Sequence, residues 1–431
     1  MPSHPDSIRI TGGTRIEGRV TLDGSKNGSL PLLAAALLMD GECVIHNVPP
    51  VADVHAMIEL LCALGMDAGL DDSGAARIRS GVALDPVAPL DLVRRMRASF
   101  WVAGPLLARL RRAQVPLPGG CDLGSRPVDF HLAAFERLGA TITVEHGYMN
   151  AEAERLRGAT IYQDARVRSM GATMNTIMAA TRAEGVTLIH NASCEPEVVD
   201  LCRFITAMGG RIEGAGTTTV RVEGVSEMRG CEFRASCDRI EAGTLLLAGV
   251  ITGGDVTVGP LDAEQLQCFL DKLSEAGVEV TVEGQNLRAR CPARPRAVDI
   301  VTGPHPSFHT DLQPQMGAML CLAQGTSVMQ ETIYDGRLPH VDELRRMGAD
   351  IKVVDQTAII TGVERLTGAV VQAMNIRAGA AVMLAGLAAE GVTEVVGCHH
   401  IDRGYAHLEH KLVALGAAIT GRNQRRPPCP P

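Results

Sequence analysis

With 431 residues, 46% of them hydrophobic but only 3% aromatic, the chain has enough apolar mass for two cores built on Leu, Val, Ile, Ala and Met. Its net charge of −8 and scarcity of stacking platforms argue against nucleic acid as a partner, while small anions remain possible ligands wherever positive charge is concentrated. No apolar run reaches membrane-spanning length, MPSHPDSIRITGG lacks a signal pattern, and twelve cysteines form no C-x-x-C pair, so a cytoplasmic protein without membrane, zinc or disulfide scaffold is expected.

Taken in order, the elements repeat. A helix ends at a glycine and a β-type run follows at Gly65, Gly139, Gly209, Gly277, Gly348 and Gly416, in steps of about 70 residues. A glycine after each of these helices fits a left-handed C-cap. A second glycine opens a strand at Gly41, Gly185, Gly254, Gly325 and Gly391; the second repeat departs, with Gln114-Val115-Pro116 in its place. Helices are expected over 30–38, 54–64, 170–181 and 377–389 from their apolar spacing. Each unit therefore runs helix, strand, turn, helix, strand or hairpin, and six units make two domains of three in an α/β class whose topology periodicity leaves open. The pairs Gly209-Gly210 and Gly253-Gly254 are turns without a dinucleotide or Walker pattern, so no nucleotide cofactor follows. The tail 422–431, RNQRRPPCPP, is expected to be a disordered appendage.

The departing second repeat also carries LPGGCDLGSRPVDFH, residues 117–131. Pro118-Gly119-Gly120 breaks both helix and strand, placing Cys121 on a tight turn beside Asp122. Arg126-Pro127 pins the exit before a helical run. An isolated cysteine is most often a buried apolar residue, but a thiol next to a guanidinium suits anionic chemistry: the Arg holds a phosphate or carboxylate, and the thiol moves a proton. Lys26, Arg97, Arg126, Arg337, Arg377 and Arg403 each sit beside a turn or helix start. Singly, each reads as a solvated charge; converging between two domains, they would hold a compact multiply charged anion. Asn27 reads as an N-cap, and Asp311 equally as an N-cap or a base. His399-His400, His305/His309 and His407-x-x-His410 lack a third ligand and a metal spacing motif, so no metal is expected.

The motifs together resemble those of the UDP-N-acetylglucosamine enolpyruvyl transferase (1-carboxyvinyltransferase) family across nearly the whole chain. They are GSKNGSLPLLAAALL (24–38), MRASFWVAGPLLARL (96–110), the Cys121 loop, SMGATMNTIMAA (169–180), DRIEAGT (238–244), PHPSFHTDLQPQ (304–315), ETIYDGR (331–337), NIRAGAA (375–381) and HIDRGYAHLEHKL (400–412). The resemblance implies a two-domain inside-out α/β barrel, with helices buried and sheets facing solvent. It implies that residues 1–25 contribute a strand to the second domain, with 26–235 as domain one and 236–421 as domain two. It implies phosphoenolpyruvate and a uridine nucleotide as partners and no cofactor; it leaves the oligomeric state open.

By the same resemblance, Lys26, Arg97, Arg126 and Arg403 would bind the phosphate of phosphoenolpyruvate or complete its pocket, and Arg337 and Arg377 its carboxylate. Cys121 would protonate the methylene carbon, Asp311 would be the general base, and Lys26 and Arg403 would share in catalysis. Asn27, Arg126, Pro127, Val128, Asp129, Ser169, Gly171, Asp311 and Ile333 would contact the acceptor. A site drawn from both halves would have to open and close around its substrates. Departures from the family pattern are Asn375 for an acidic residue, Gly379 for Ser, His309 for Pro, and a longer segment 164–169 with two arginines. Three readings follow: transfer to the sugar 3-hydroxyl of UDP-N-acetylglucosamine, transfer to the ribose 3′-hydroxyl of UMP or a related nucleoside in a nucleoside-antibiotic pathway, or a non-catalytic nucleotide binder.

Overall fold

Every repeat begins with a helix made mostly of apolar and small residues, which is driven into the core. In the helix Arg239–Ile251 all thirteen residues are buried, as are all eight of Gln313–Leu320 and eleven of Ile376–Ala388. These three helices pack on one another at the centre of one unit. Their counterparts in the other unit are Lys26–Ala35, Ala103–Leu110 and Met170–Ala180. Burying each Leu, Val or Ile side chain contributes roughly 1.5–3 kcal/mol, so these central helices carry much of each core. The computed structural model describes residues 6–81, 83–118 and 128–421. Cys121, Arg126, Pro127 and the tail 422–431 lie outside the described residues.

The chain divides into two units, one spanning Asp23–Asp238 and the other combining the segment up to Leu22 with everything from Arg239 onward. The passage into the first unit is fixed by close backbone contact: Gly24 bridges Cys237, and a Cβ on Gly24 would lie 1.6 Å from the Asn47 carbonyl oxygen. Only glycine fits there.

Each central helix feeds a strand, an amphipathic outer helix and a hairpin, and the three strands form a sheet with the outer surface exposed. The strand Val186–His190, for example, pairs antiparallel with Thr219–Glu223 and buries Thr187 and Ile189 while its alternate residues face outward. A short strand runs parallel on the other edge, as Thr160–Tyr162 does beside Val186–His190. In the last repeat the hairpin is completed by the N-terminus: Ser7–Thr11 lies between Val392–Val396 and Ala418–Thr420, antiparallel to both. The second repeat replaces its fourth strand with a single bridge from Val87 to Gln114.

The six glycines that end the outer helices all have positive φ, between 87° and 103°, as left-handed caps require. The second glycine series differs in two places. Before the strand Asp255–Gly259 of the fourth repeat the left-handed residue is Gly253, not Gly254, and in the second repeat it is Arg111, at φ 60°. Arg111 holds this conformation without glycine's freedom, its amide donating to the Leu107 carbonyl and its guanidinium to the Arg182 carbonyl. Two helices start earlier than apolar spacing alone indicates, at Lys26 and Ala52, because their first residues are polar or small. No described helix is long and apolar enough to cross a membrane.

Candidate active site

In the unit spanning Asp23–Asp238, the candidate cation Lys26 opens a central helix. Ser25, not Asn27, is that helix's N-cap: its hydroxyl accepts from the Gly28 amide at 3.1 Å. Asn27 is thereby left one turn-position inside the helix, with its side chain released from the capping role. The Lys26 ammonium pairs with Asp53 at 2.9 Å, and both side chains are largely buried, at 12% and 6% exposure. The Asp238 carboxylate accepts from the Lys26 amide at 3.4 Å. An ammonium has three donors, so a lysine held by one carboxylate can still donate to an incoming anion.

A second corner of this unit gathers residues from three elements. Arg97 begins the 3-10 turn Arg97–Val102, and Val128 and Asp129 open the helix Asp129–Arg137, Val128 buried and Asp129 exposed. Ser169 caps the helix Met170–Ala180 through its hydroxyl, which accepts from the Ala172 amide at 3.2 Å. Gly171, in that helix's first turn, leaves room for Trp101 and His131: a Cβ there would lie 2.9 Å from the indole nitrogen and 3.5 Å from His131 Nε2.

His131 and Trp101 are site candidates that sequence reasoning missed. Asn175 Nδ2 donates to His131 Nδ1 at 3.0 Å and to the Phe100 carbonyl at 3.2 Å, while Asn175 Oδ1 accepts from the Gly104 amide at 2.8 Å. Nδ1 is thus the acceptor, leaving the proton on Nε2, toward Gly171. Burial, and secondarily the charge of Arg97, pushes the His131 imidazole down to about 3, so the ring is neutral at ordinary pH. The available signal was that Trp101 is the chain's one tryptophan.

In the longer segment before Ser169, Arg166 folds back on Asp164 and Arg168 faces Cys194. Arg166 grips Asp164 with two guanidinium bonds, of 3.2 and 2.9 Å, and its amide adds a third at 2.8 Å. Hydrogen bonds from Arg166 hold the Asp164 carboxyl down at about 2.

The other unit holds a built charge cluster. Asp311 sits in the 3-10 turn Thr310–Leu312, ahead of the central helix Gln313–Leu320, and His309 is the residue that caps this turn. The Asp311 carboxylate is divided between two arginines: Oδ1 accepts from Arg337 Nη2, and Oδ2 from Arg377 Nη2 at 2.9 Å. Both guanidiniums are 3–4% exposed and Asp311 17%. Arg337 also donates to the Thr310 carbonyl at 3.1 Å and stands 5.6 Å from the Tyr334 ring centre. Arg377 lies 5.1 Å from the ring centre of Tyr405, whose hydroxyl meets Thr244 and Gln315 at 2.9 and 3.0 Å. These rings add cation–π attraction and fix the forks in place.

Glu331 is the strut of this cluster, and its importance was not visible in sequence. Buried at 2% exposure, it accepts from Thr302, Thr310 and the amides of Ile333 and Tyr334, at 3.0, 2.9, 2.8 and 3.2 Å. It therefore ties the Asp311 turn to the Ile333–Arg337 loop. Arg403 is half-buried at the end of the short helix His399–Asp402. Asn375, where an acidic residue was expected, caps the helix bearing Arg377 by accepting from the Arg377 and Ala378 amides at 3.1 and 3.0 Å. Gly379 faces Ile401, whose Cγ1 would lie 2.6 Å from a Cβ. Among the described residues no group of three or more His, Cys, Asp or Glu is placed to hold a metal.

A paired set of buried guanidiniums around one carboxylate suits a substrate carrying both carboxylate and phosphate charge. The family model for EPSP synthase (3-phosphoshikimate 1-carboxyvinyltransferase) matches residues 10–412. UDP-N-acetylglucosamine 1-carboxyvinyltransferase 1 of Caldanaerobacter subterraneus subsp. tengcongensis is 48% identical over 404 residues, 94% of this chain and 96% of that one. UDP-N-acetylglucosamine 1-carboxyvinyltransferase 2 of Symbiobacterium thermophilum is 50% identical over 412 residues, 95% and 96% of the two chains. Among solved structures, the enolpyruvyl transferase NikO from Streptomyces tendae superposes with a TM-score of 0.88 at 26% identity, covering 97% of this chain and 99% of that one. An EPSP synthase from Acinetobacter baumannii shares the fold, with a TM-score of 0.73 at 18% identity over 96% and 100% of the two chains. The family-model match and the near-half identity over almost the full length place this chain in the enolpyruvyl (1-carboxyvinyl) transferase family, with the UDP-N-acetylglucosamine 1-carboxyvinyltransferases.

Proposed function

We propose that this enzyme transfers the enolpyruvyl group of phosphoenolpyruvate to the sugar 3-hydroxyl of UDP-N-acetylglucosamine, releasing phosphate, a step in peptidoglycan precursor synthesis. The observation that carries the acceptor choice is the near-half identity, end to end, with enzymes named for that nucleotide sugar. In the reaction a proton adds to the methylene carbon of phosphoenolpyruvate and the acceptor oxygen bonds to the neighbouring carbon. Loss of a methyl proton and of phosphate then regenerates the vinyl group. Cys121 is proposed as the acid at carbon and Asp311 as the group that takes the hydroxyl proton. Arg337 and Arg377 are assigned to the substrate carboxylate, and Lys26, Arg97, Arg126 and Arg403 to the phosphate, whose departing charge they stabilise. Asn27, Arg126, Pro127, Val128, Asp129, Ser169, Gly171 and Ile333 are assigned to the acceptor, and the Trp101–His131 corner beside Gly171 is added to them.

The departures from the family pattern have local structural roles that need no change of acceptor to explain them. Asn375 is a helix cap, Gly379 makes room for Ile401, His309 caps the Asp311 turn, and Arg166 is folded onto Asp164. Phosphate release measured side by side with UDP-N-acetylglucosamine and UMP tests the proposal. Turnover with the nucleotide sugar and none with UMP is expected. The reverse pattern would establish the nucleoside reading, and no release with either would leave a nucleotide binder.

A further inference from the structure

His309 touches the reaction through Asp311. Its Nδ1 accepts a hydrogen bond from the Asp311 amide at 3.0 Å, making the imidazole the N-cap of the turn Thr310–Leu312. Serine, threonine, aspartate and asparagine cap with an oxygen, which accepts at any ordinary pH. An imidazole nitrogen accepts only while it carries no proton, and both ring nitrogens become donors in the charged form. The bond therefore requires the neutral ring with its proton on Nε2.

We propose that His309 is a pH-sensitive positioning residue, which holds the Asp311 turn in register while neutral and releases it on protonation. The inference rests on the assignment of Asp311 as the proton acceptor. The groups lining the small cavity beside the ring set the balance. Arg239 comes from the helix Arg239–Ile251, Cys268 from the helix Gln267–Glu275, and His305 from the preceding loop. Arg239 is buried at 2% exposure, and its fixed positive charge disfavours a second cation nearby. Two carboxylates touch this turn: that of Asp311 is already divided between Arg337 and Arg377, and that of Glu331 accepts from Thr310, Thr302 and the amides of Ile333 and Tyr334. The bond from the Asp311 amide is thus one that the neutral ring makes. Once charged, it loses the amide and presents an N–H beside a carboxylate that two guanidiniums are holding. Either competition draws Asp311 out of place.

The test compares the pH dependence of kcat for the full-length enzyme with those of His309→Asn and His309→Ala. Asn supplies a capping oxygen that does not titrate. At pH 8, His309→Asn should keep most of the wild-type kcat, while His309→Ala should lose about fivefold, the effect of one missing cap. Below about pH 6.5 the wild type should lose rate as histidine ordinarily titrates, and His309→Asn should lose that limb. An acid limb identical in wild type and His309→Asn would overturn the proposal. A second readout needs no turnover: the 15N shifts of His309 in the labelled protein. Nδ1 should be unprotonated at pH 8 and gain a proton on acidification; a protonated Nδ1 at pH 8 would overturn the proposal. Absence of turnover with every acceptor would instead refute the proposed reaction, and the nitrogen shifts would still decide the state of His309.

Discussion

Replacing Asp311 with Asn separates the charge on this side chain from its shape. The two oxygens serve different guanidiniums, Oδ1 for Arg337 and Oδ2 for Arg377. A carboxamide keeps one oxygen and turns an NH2 group toward the other arginine, so donor meets donor and one buried cation loses this partner. Breaking a buried ion pair from one side costs about 3–5 kcal/mol. The 17% exposure of Asp311 admits some water and places the expected loss near the lower end, about 3 kcal/mol. For a unit of this size that corresponds to roughly 6–12 °C in the melting temperature. Loss of the proton acceptor should also lower kcat by about 10²–10⁴-fold. Differential scanning calorimetry and single-turnover phosphate release on the same preparation measure both. A variant melting within about a degree of wild type would refute the buried-pair reasoning. A kcat within about threefold of wild type would remove Asp311 from the base role.

Three further predictions follow from separate contacts. Gly104→Ala would put a methyl 2.3 Å from Asn175 Oδ1 and 2.5 Å from its carbonyl oxygen, and urea unfolding should show a loss of about 2 kcal/mol from overpacking. Asn375→Asp keeps the cap and adds a negative charge at the N-terminus of the helix Ile376–Ala388, so thermal melting should rise by the equivalent of about 0.3–1 kcal/mol. His131 titrates at about 3 when folded and near its ordinary value when unfolded. As pH falls below about 6.5 the unfolded chain takes up the proton first, and the unit spanning Asp23–Asp238 loses about 1.4 kcal/mol per pH unit from this group. Urea melts at pH 6.5 and 5 should therefore differ by about 2 kcal/mol less in His131→Gln than in wild type.

What the sequence made legible is what local backbone geometry demands. The six glycines after the outer helices are readable because only a residue at ease with positive φ can end a helix that way, and all six have it. Arg111 escaped notice because its left-handed conformation is held by tertiary bonds that leave no mark on composition. The insertion of Ser7–Thr11 into the last sheet pairs residues nearly four hundred positions apart, which periodicity cannot reach; only the resemblance to known enzymes suggested it. The same distinction applies at the site. Lys26, Arg337 and Arg377 stood out as cations beside turns, but Ser25 had to be seen in place before Asn27 lost its capping role. Asn175, which joins Gly104, Phe100 and His131, lies in a run of small and apolar residues where nothing local distinguishes it from core. Glu331 is similar: a buried acid with four donors around it looks, in sequence, like any surface glutamate.

The account turns on where the three carbons of phosphoenolpyruvate end up. Incubation of the enzyme with uniformly 13C-labelled phosphoenolpyruvate and UDP-N-acetylglucosamine, followed by carbon–proton correlation of the product, reads this directly. The account predicts an intact vinyl group whose central carbon couples through oxygen to the proton on carbon 3 of the sugar, with one phosphate released per product. Label on the ribose of the nucleotide, or phosphate released without any carbon–oxygen bond to the acceptor, would contradict it.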